Sequence, residues 1–537
     1  MAEDGRDMDA DYVVIGAGSA GCVVASRLSE TGARVALLEA GPKDWLPWIH
    51  IPAGVPYLLY NPAVNWNYLS EPEPGSGNRP IHWPRGRVLG GSSSINGMLY
   101  VRGNSADYDG WAQLGCRGWS YDEVLPYFKK SEHYGPGDEQ VRGKGGVMRV
   151  ADYPTILPLT HRFVEAALQA GHVFRKDLND GVQEGVGYSQ NTRNGRFRGS
   201  TASTFLRAAK GRKNLRVETN AVASRLLFDG RRCTGVAFRQ GADDREVRAT
   251  REVILCGGAV NSPHLLQISG VGPAGHLQSI GVPVVHDLAG VGGNLQDHYI
   301  TKVQHRVKDA ISINQLGHGL RAAREVVRYI VSGNGALTFA TTTAQVFCRS
   351  REGLASPDLQ LLFTPASYDI GAKRMLERAP GMTVAICPVR PDSRGTIMAM
   401  SKDPFAKAEI RPNYLAVAND VRVLTAGLRF AREIFAASAI ARFSAAETVP
   451  GPALVSDEDL ADYARDTGST IFHPVGTCRM GETPGAVVDS RLRVHGIGGL
   501  RVIDASVMPT LTTGNTNAPT IMIAEKGAAM IREDAGG

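Results

Sequence analysis

Tyr12-Val13-Val14-Ile15-Gly16-Ala17-Gly18-Ser19-Ala20-Gly21 decides the fold, because a β-branched run breaks straight into three glycines at G-x-G-x-x-G spacing. Val35-Ala36-Leu37-Leu38 follows and ends at Glu39 and Ala40. The order is strand, glycine turn, helix over residues 20–30, strand, acid. The first glycine permits the tight turn, the second lets backbone amides approach a pyrophosphate, and the third lets helix and strand pack closely. Phosphate charge then meets the helix N-terminus. Glu39, about twenty residues past the first glycine, is placed to accept ribose hydroxyls, where an arginine would suit a 2′-phosphate. The bare spacing also occurs in ordinary glycine loops, and it is the two flanking strands and the acid in register that carry the binding reading. The cofactor predicted is an unphosphorylated adenine dinucleotide, FAD or NAD, touched by Gly16, Gly18, Ser19, Ala20, Gly21, Glu39 and Ala40.

The chain has 537 residues, more than one hydrophobic core usually supports, so two or more domains are expected. With 43% hydrophobic and 21% charged residues it has an ordinary globular composition. The net charge of +6 is spread through alternating acids and bases, which is no nucleic-acid footprint. Cys22, Cys116, Cys233, Cys256, Cys348, Cys387 and Cys478 are scattered and form no C-x-x-C pair or zinc-type spacing, which argues against a disulfide framework and favours a reducing compartment. The stretch Met1–Asp11 is acidic and polar, unlike a leader. No run of apolar residues is long enough to span a bilayer. A cytoplasmic location is therefore expected, with oligomeric state open, a homo-oligomer included.

Two textures interleave along the chain. The aromatic- and proline-rich stretch from Ile51 to Pro84 reads as a loop over the cofactor. Strands return between Asn214 and Leu227, and Arg251-Glu252-Val253-Ile254-Leu255 breaks into Cys256-Gly257-Gly258, a return to the cofactor sheet. From about Thr301 to Ser456 glycine fingerprints give way to strand-like runs such as Asp358–Phe363 and one helical stretch near Leu320 to Val331. The expected fold is α/β, a Rossmann-like cofactor domain from 1–155, 201–300 and 457–537. A substrate domain from 156–200 and 301–456, built on an antiparallel sheet, is inserted in it.

Three further blocks resemble the glucose-methanol-choline (GMC) family of FAD-dependent alcohol oxidoreductases along nearly the whole chain. They are Gly86 through Tyr100, Gly258 through Gly272, and a C-terminal set of Phe472-His473-Pro474-Val475-Gly476, Asp504-Ala505-Ser506 and Gly514-Asn515-Thr516-Asn517-Ala518-Pro519-Thr520. Read from the residues alone, Gly90-Gly91-Ser92-Ser93 offers unhindered amides and hydroxyls suited to phosphate or ribityl oxygens. The resemblance implies FAD contacts from Trp66, Arg87, Leu89, Gly90, Ser93, Asn96, Gly97, Met98, Leu99, Val222, Asp504, Ala505, Asn515, Thr516 and Thr520. Relatives with covalent flavin carry a histidine where this chain has Ile95, so the FAD is expected to be noncovalent.

His473 stands where the family places its catalytic histidine, and an imidazole suits removal of a hydroxyl proton while hydride leaves the carbon. Asn517 stands where a second histidine or an asparagine is expected, to hold the substrate oxygen. His298 reads as structural packing. No G-x-S-x-G elbow supports a hydrolase. The function expected is oxidation of a primary alcohol to an aldehyde, with oxygen or a quinone-type carrier as final acceptor. A choline dehydrogenase or oxidase, a hydroxynitrile lyase using flavin only structurally, and a cofactor-binding protein without turnover are the alternatives.

Overall fold

The computed structural model describes residues 9–368 and 376–536. Ala10–Ile15 lies in the middle of a parallel sheet, flanked on one side by Val35–Glu39 and then Leu215–Thr219. On the other side Tyr12–Ile15 pairs with Glu252–Leu255, and Leu500–Val502 follows beyond. All five residues of Val35–Glu39 are buried, as a strand covered on both faces requires. The strand Asp243–Leu255 is long enough to serve twice, because its first half leaves the parallel sheet for an antiparallel meander with Arg232–Gln240 and Ala221–Asp229. The predicted Rossmann-like sheet is present, and its order reverses beside the first strand, where such folds bind dinucleotides.

The first helix, Gly21–Ser29, packs against the last, Asn517–Gly536, and Arg27 grips the buried Glu525 through two nitrogens at 2.7–3.1 Å. This pairing of charge and fork geometry is the strong kind of hydrogen bond. It carries the C-terminal segment across the whole sequence to the glycine turn.

A second sheet is antiparallel, in the order Ser444–Val449, Tyr299–Val307, Gly381–Pro388, Leu359–Thr364, Ala344–Cys348, Gly185–Tyr188. Its strands alternate faces, as the pleat demands. Leu359, Leu361, Phe363, Val384 and Ile386 join one core with Val423, Leu424 and Leu428 of the Ala418–Ala436 helix, whereas Leu362, Thr364, Thr383 and Ala385 face a cavity between the two sheets. Ser469–Thr470 pairs with Tyr299–Ile300, so the segment leading into His473 hangs from this sheet.

The stretch Ile51–Pro84 contains three short helical turns and a short two-stranded ladder, Tyr68–Leu69 with His82–Trp83, and it lines the cavity. All seven cysteines are buried and unpaired. Among the described residues no helix is long and apolar enough to cross a membrane.

Candidate active site

The cavity between the sheets measures about 1090 Å³. Its nucleotide end is the glycine turn. A Cβ on Gly21 would lie 1.8 Å from the Gly16 carbonyl oxygen, and one on Gly91 would lie 2.6 Å from Cα of Gly18, so the two glycine-rich loops meet backbone to backbone. Glu39 accepts from Ala17 N at 2.9 Å with one oxygen and from Gly41 N at 2.8 Å with the other. Each oxygen keeps a lone pair for a ribose hydroxyl. Burial raises this carboxyl to about 7, with the two amides and Arg87 opposing. The Arg87 guanidinium stacks 5.1 Å from the Trp66 ring, and its buried Nε meets no protein partner. Asp504 accepts from Gly258 N at 2.8 Å, Ser262 Oγ at 2.6 Å and Ser506 N at 2.8 Å, which fixes the start of the Gly258–Ile268 helix on the cavity wall. Bare backbone, an acid in ribose position and an orphaned buried guanidinium N–H fit an FAD.

Of the residues predicted to touch cofactor, Gly16, Gly18, Ser19, Ala20, Glu39, Ala40, Trp66, Arg87, Asn96, Gly97, Met98, Leu99, Val222, Asp504, Ala505, Asn515, Thr516 and Thr520 line this cavity. Gly21, Leu89, Gly90 and Ser93 do not. Gly21 and Gly90 serve packing: a Cβ on Gly90 would lie 2.2 Å from Ser94 Oγ. Ser93 Oγ turns away to the Gly90 carbonyl and Thr201. Leu89 borders a separate surface groove.

At the other end stands His473. Its backbone N–H donates to Asp297 Oδ1 at 2.7 Å, and the same carboxylate receives the hydroxyls of Tyr414 and Thr470. Arg85 Nη2 donates to the Phe472 carbonyl at 2.6 Å, and Phe472 is held at φ +73°. A bulky residue in that region is strained, and the surrounding contacts over-determine it. The imidazole is therefore presented by a loop held by its neighbours on both sides.

The hydrogen bonds around His473 settle where its protons sit. His298 Nε2 lies 3.2 Å from the Val389 carbonyl, which can only accept, so Nε2 carries hydrogen. Burial lowers His298 to about 4, so it is neutral and its Nδ1 holds a lone pair. That nitrogen is 2.9 Å from His473 Nδ1, which must donate. Burial, then His298 and Arg85, hold His473 well below the ordinary histidine range, so it too is neutral. Its Nε2 is left with a lone pair at the cavity, 3.1 Å from Asn515 Nδ2. Gln360 of the antiparallel sheet donates to Asn515 Oδ1 at 3.5 Å, which turns the amide nitrogen toward His473.

Asn517, predicted as the hydrogen-bonding partner, lines the same cavity but at its nucleotide end, away from the His473 imidazole. Its Oδ1 accepts from Ser19 Oγ at 2.8 Å, beside the glycine turn, because it opens the last helix. Asn515, predicted as a cofactor contact, is the amide beside His473. His298, expected only to pack, is also part of the site; its Asp-His neighbourhood in the sequence gives no signal of contact with a residue 175 positions away.

The GMC oxidoreductase profile matches residues 10–300 and 391–524. The chain is 41% identical to the alcohol dehydrogenase [acceptor] of Pseudomonas putida, over 97% of this chain and 95% of the relative. It is 43% identical to the oxygen-dependent choline dehydrogenase of Chromohalobacter salexigens, over 97% and 94%. The crystal structure of pyridoxine 4-oxidase from Mesorbium loti superposes with a TM-score of 0.89 at 30% identity, covering 98% of this chain and 99% of that one. The chain belongs to the GMC oxidoreductase family of FAD-dependent enzymes that oxidise alcohols.

Proposed function

We propose that the chain oxidises an uncharged primary alcohol to its aldehyde, with His473 as base and Asn515 as the group that holds the alcohol oxygen. The observation that carries this reading is the lone pair on His473 Nε2, directed at the cavity beside an amide donor at 3.1 Å. An alcohol hydroxyl replaces the bond between them, donating to Nε2 and accepting from Asn515 Nδ2. Proton removal leaves negative charge on that oxygen, which the amide dipole and the nearby Arg85 stabilise. A positioned base of this kind is worth about 10²–10⁴ in rate. FAD, when bound, accepts the hydride from the carbon. Ile95, a buried saturated side chain on the cavity wall, has no nucleophile to offer the flavin, which supports noncovalent binding.

The charge of the cavity wall supports an uncharged alcohol over the choline in some relatives' names. Recognition of a quaternary ammonium needs aromatic faces and acids. Among the described residues lining the cavity the only carboxylates are Glu39 and Asp504, both held by backbone amides near the glycine turn. The same wall carries Arg79, Arg85, Lys302 and Lys407. Anaerobic mixing of the yellow protein with choline and with its isostere carrying carbon in place of the ammonium nitrogen tests both points. Faster bleaching of the flavin by the isostere is expected. No bleaching by any primary alcohol would remove the activity, and faster bleaching by choline would remove the charge argument alone. Oxygen and a quinone are the acceptors to compare in reoxidation.

A further inference from the structure

The helix Gly319–Ser332 is attached to the protein by its polar side. Its buried residues are Glu325 and Tyr329. Glu325 accepts from Ala336 N at 2.7 Å, and Tyr329 donates to the Arg196 carbonyl at 2.8 Å. The apolar side chains point outward: Leu320 is 91% exposed, Val331 77%, Ile330 61% and Val327 60%. At 3.6 residues per turn these four share one stripe, and Arg321, Arg324 and Arg328 share the strip along its edge. The sole acid of the helix is the buried Glu325. Beside Ile330 the stripe continues into a groove with the exposed rings of Trp45 and Phe197, where Lys43, Arg207 and Lys210 add positive charge.

An ordinary surface helix of a globular protein turns its apolar stripe inward and its charges outward. Here the stripe is outward, with a basic strip and an indole at its border. A second copy of the chain seated on this face about a twofold axis would set these arginines against their own equivalents, which like charge disfavours. An anionic lipid surface complements both halves: the stripe enters the acyl boundary, the arginines meet phosphates and Trp45 sits at headgroup depth. We infer that this face docks the protein on anionic membranes as a peripheral attachment. The helix packs on the short turn Ala336–Thr338, which leads directly into Ala340, Thr341 and Thr342 of the cavity wall. The attachment therefore lies close in sequence and space to the catalytic cavity.

The test is sedimentation of the FAD-loaded protein with vesicles of phosphatidylcholine alone and of phosphatidylcholine mixed with phosphatidylglycerol. Binding to the mixed vesicles, weak binding to the neutral ones and release by salt are expected. Val327→Glu with Val331→Glu should abolish pelleting. Each of Arg321→Ala, Arg324→Ala and Arg328→Ala should lower the partition coefficient about fivefold, the equivalent of about 1 kcal/mol per basic residue near an anionic surface. All five positions are solvent-exposed, and flavin retention with unchanged alcohol turnover in solution checks that each variant is folded. Protein that stays in the supernatant with both vesicle types overturns the inference. So does pelleting that the variants leave unchanged, or a concentration-dependent dimer in light scattering that the Glu variants dissociate.

Discussion

His298→Ala offers the sharpest test of the proton arrangement. It removes the acceptor 2.9 Å from His473 Nδ1 and leaves that buried N–H without a partner. A lost neutral hydrogen bond costs about 0.5–1.5 kcal/mol and an unsatisfied buried donor about 1–3 kcal/mol. Taking about 1.4–3 kcal/mol for the combined effect gives roughly a ten- to hundredfold loss. The loss has a specific form, because without the Val389-anchored acceptor His473 is free to carry its proton on Nε2, where it can no longer take the alcohol's proton. The rate of flavin reduction at saturating alcohol should therefore fall while the alcohol's dissociation constant changes little. His298→Gln, with a carbonyl oxygen able to accept from Nδ1, should recover part of the rate. Anaerobic stopped-flow absorbance at the flavin band reads both quantities. A variant that reduces flavin at the parental rate, or one whose whole defect is weaker alcohol binding, would refute the reasoning. The pH dependence follows from the same groups. Both histidines are bases held low by burial, so flavin reduction should be level through neutrality and be lost in acid, as protonated His298 ceases to accept below about 4. Stability changes in the same direction, since unfolding frees two histidines that bind protons near 6.5; it is fullest above that pH and falls as pH drops toward 4.

Asn515→Ala and Asn517→Ala should separate cleanly. The first is expected to slow flavin reduction by about two to three orders of magnitude, the usual cost of a lost donor to a developing oxyanion, with FAD retained, whereas the second loosens the Ser19 contact and should show as FAD dissociation in fluorescence. FAD affinity should weaken as pH falls through about 7, because the ribose hydroxyls need the ionised Glu39 and burial raises that carboxyl to about 7 in the free protein; a titration by flavin fluorescence at a series of pH values reads this directly, and an affinity level from pH 8 to pH 5 would contradict it. Acid precipitation should leave all flavin in the supernatant, given a hydrocarbon at position 95, and yellow protein in the pellet would show a covalent bond.

Local chemistry written in consecutive residues is legible in the sequence alone. The Gly16–Gly21 turn, its two strands and Glu39 form one contiguous unit whose spacing is set by backbone geometry, so its strand pairing and its place in the cavity follow from the string. The antiparallel second sheet is legible as a class, from runs such as Leu359–Thr364, although its strand order is not, because pairings such as Ala344–Cys348 with Gly185–Tyr188 join segments that local pattern does not connect. His473 is marked by its motif, yet its partners are not. Asn515 and Asn517 are two residues apart with the same side chain, and only the start of the last helix between them turns one to Ser19 and leaves the other beside His473. His298, Val389 and Gln360 reach the site from three separate strand ends or loops, so their contact exists only after the sheet has formed. The tautomer of His473 is likewise a tertiary fact: it depends on a carbonyl oxygen that accepts and cannot donate, delivered through a neighbouring imidazole. The sequence by itself determined the nucleotide fold and marked His473 as the residue proposed as base. The tertiary structure decided which nitrogen is free to act and which amide stands beside it, because hydrogen-bond direction depends on distance and burial, and neither is written in residue order.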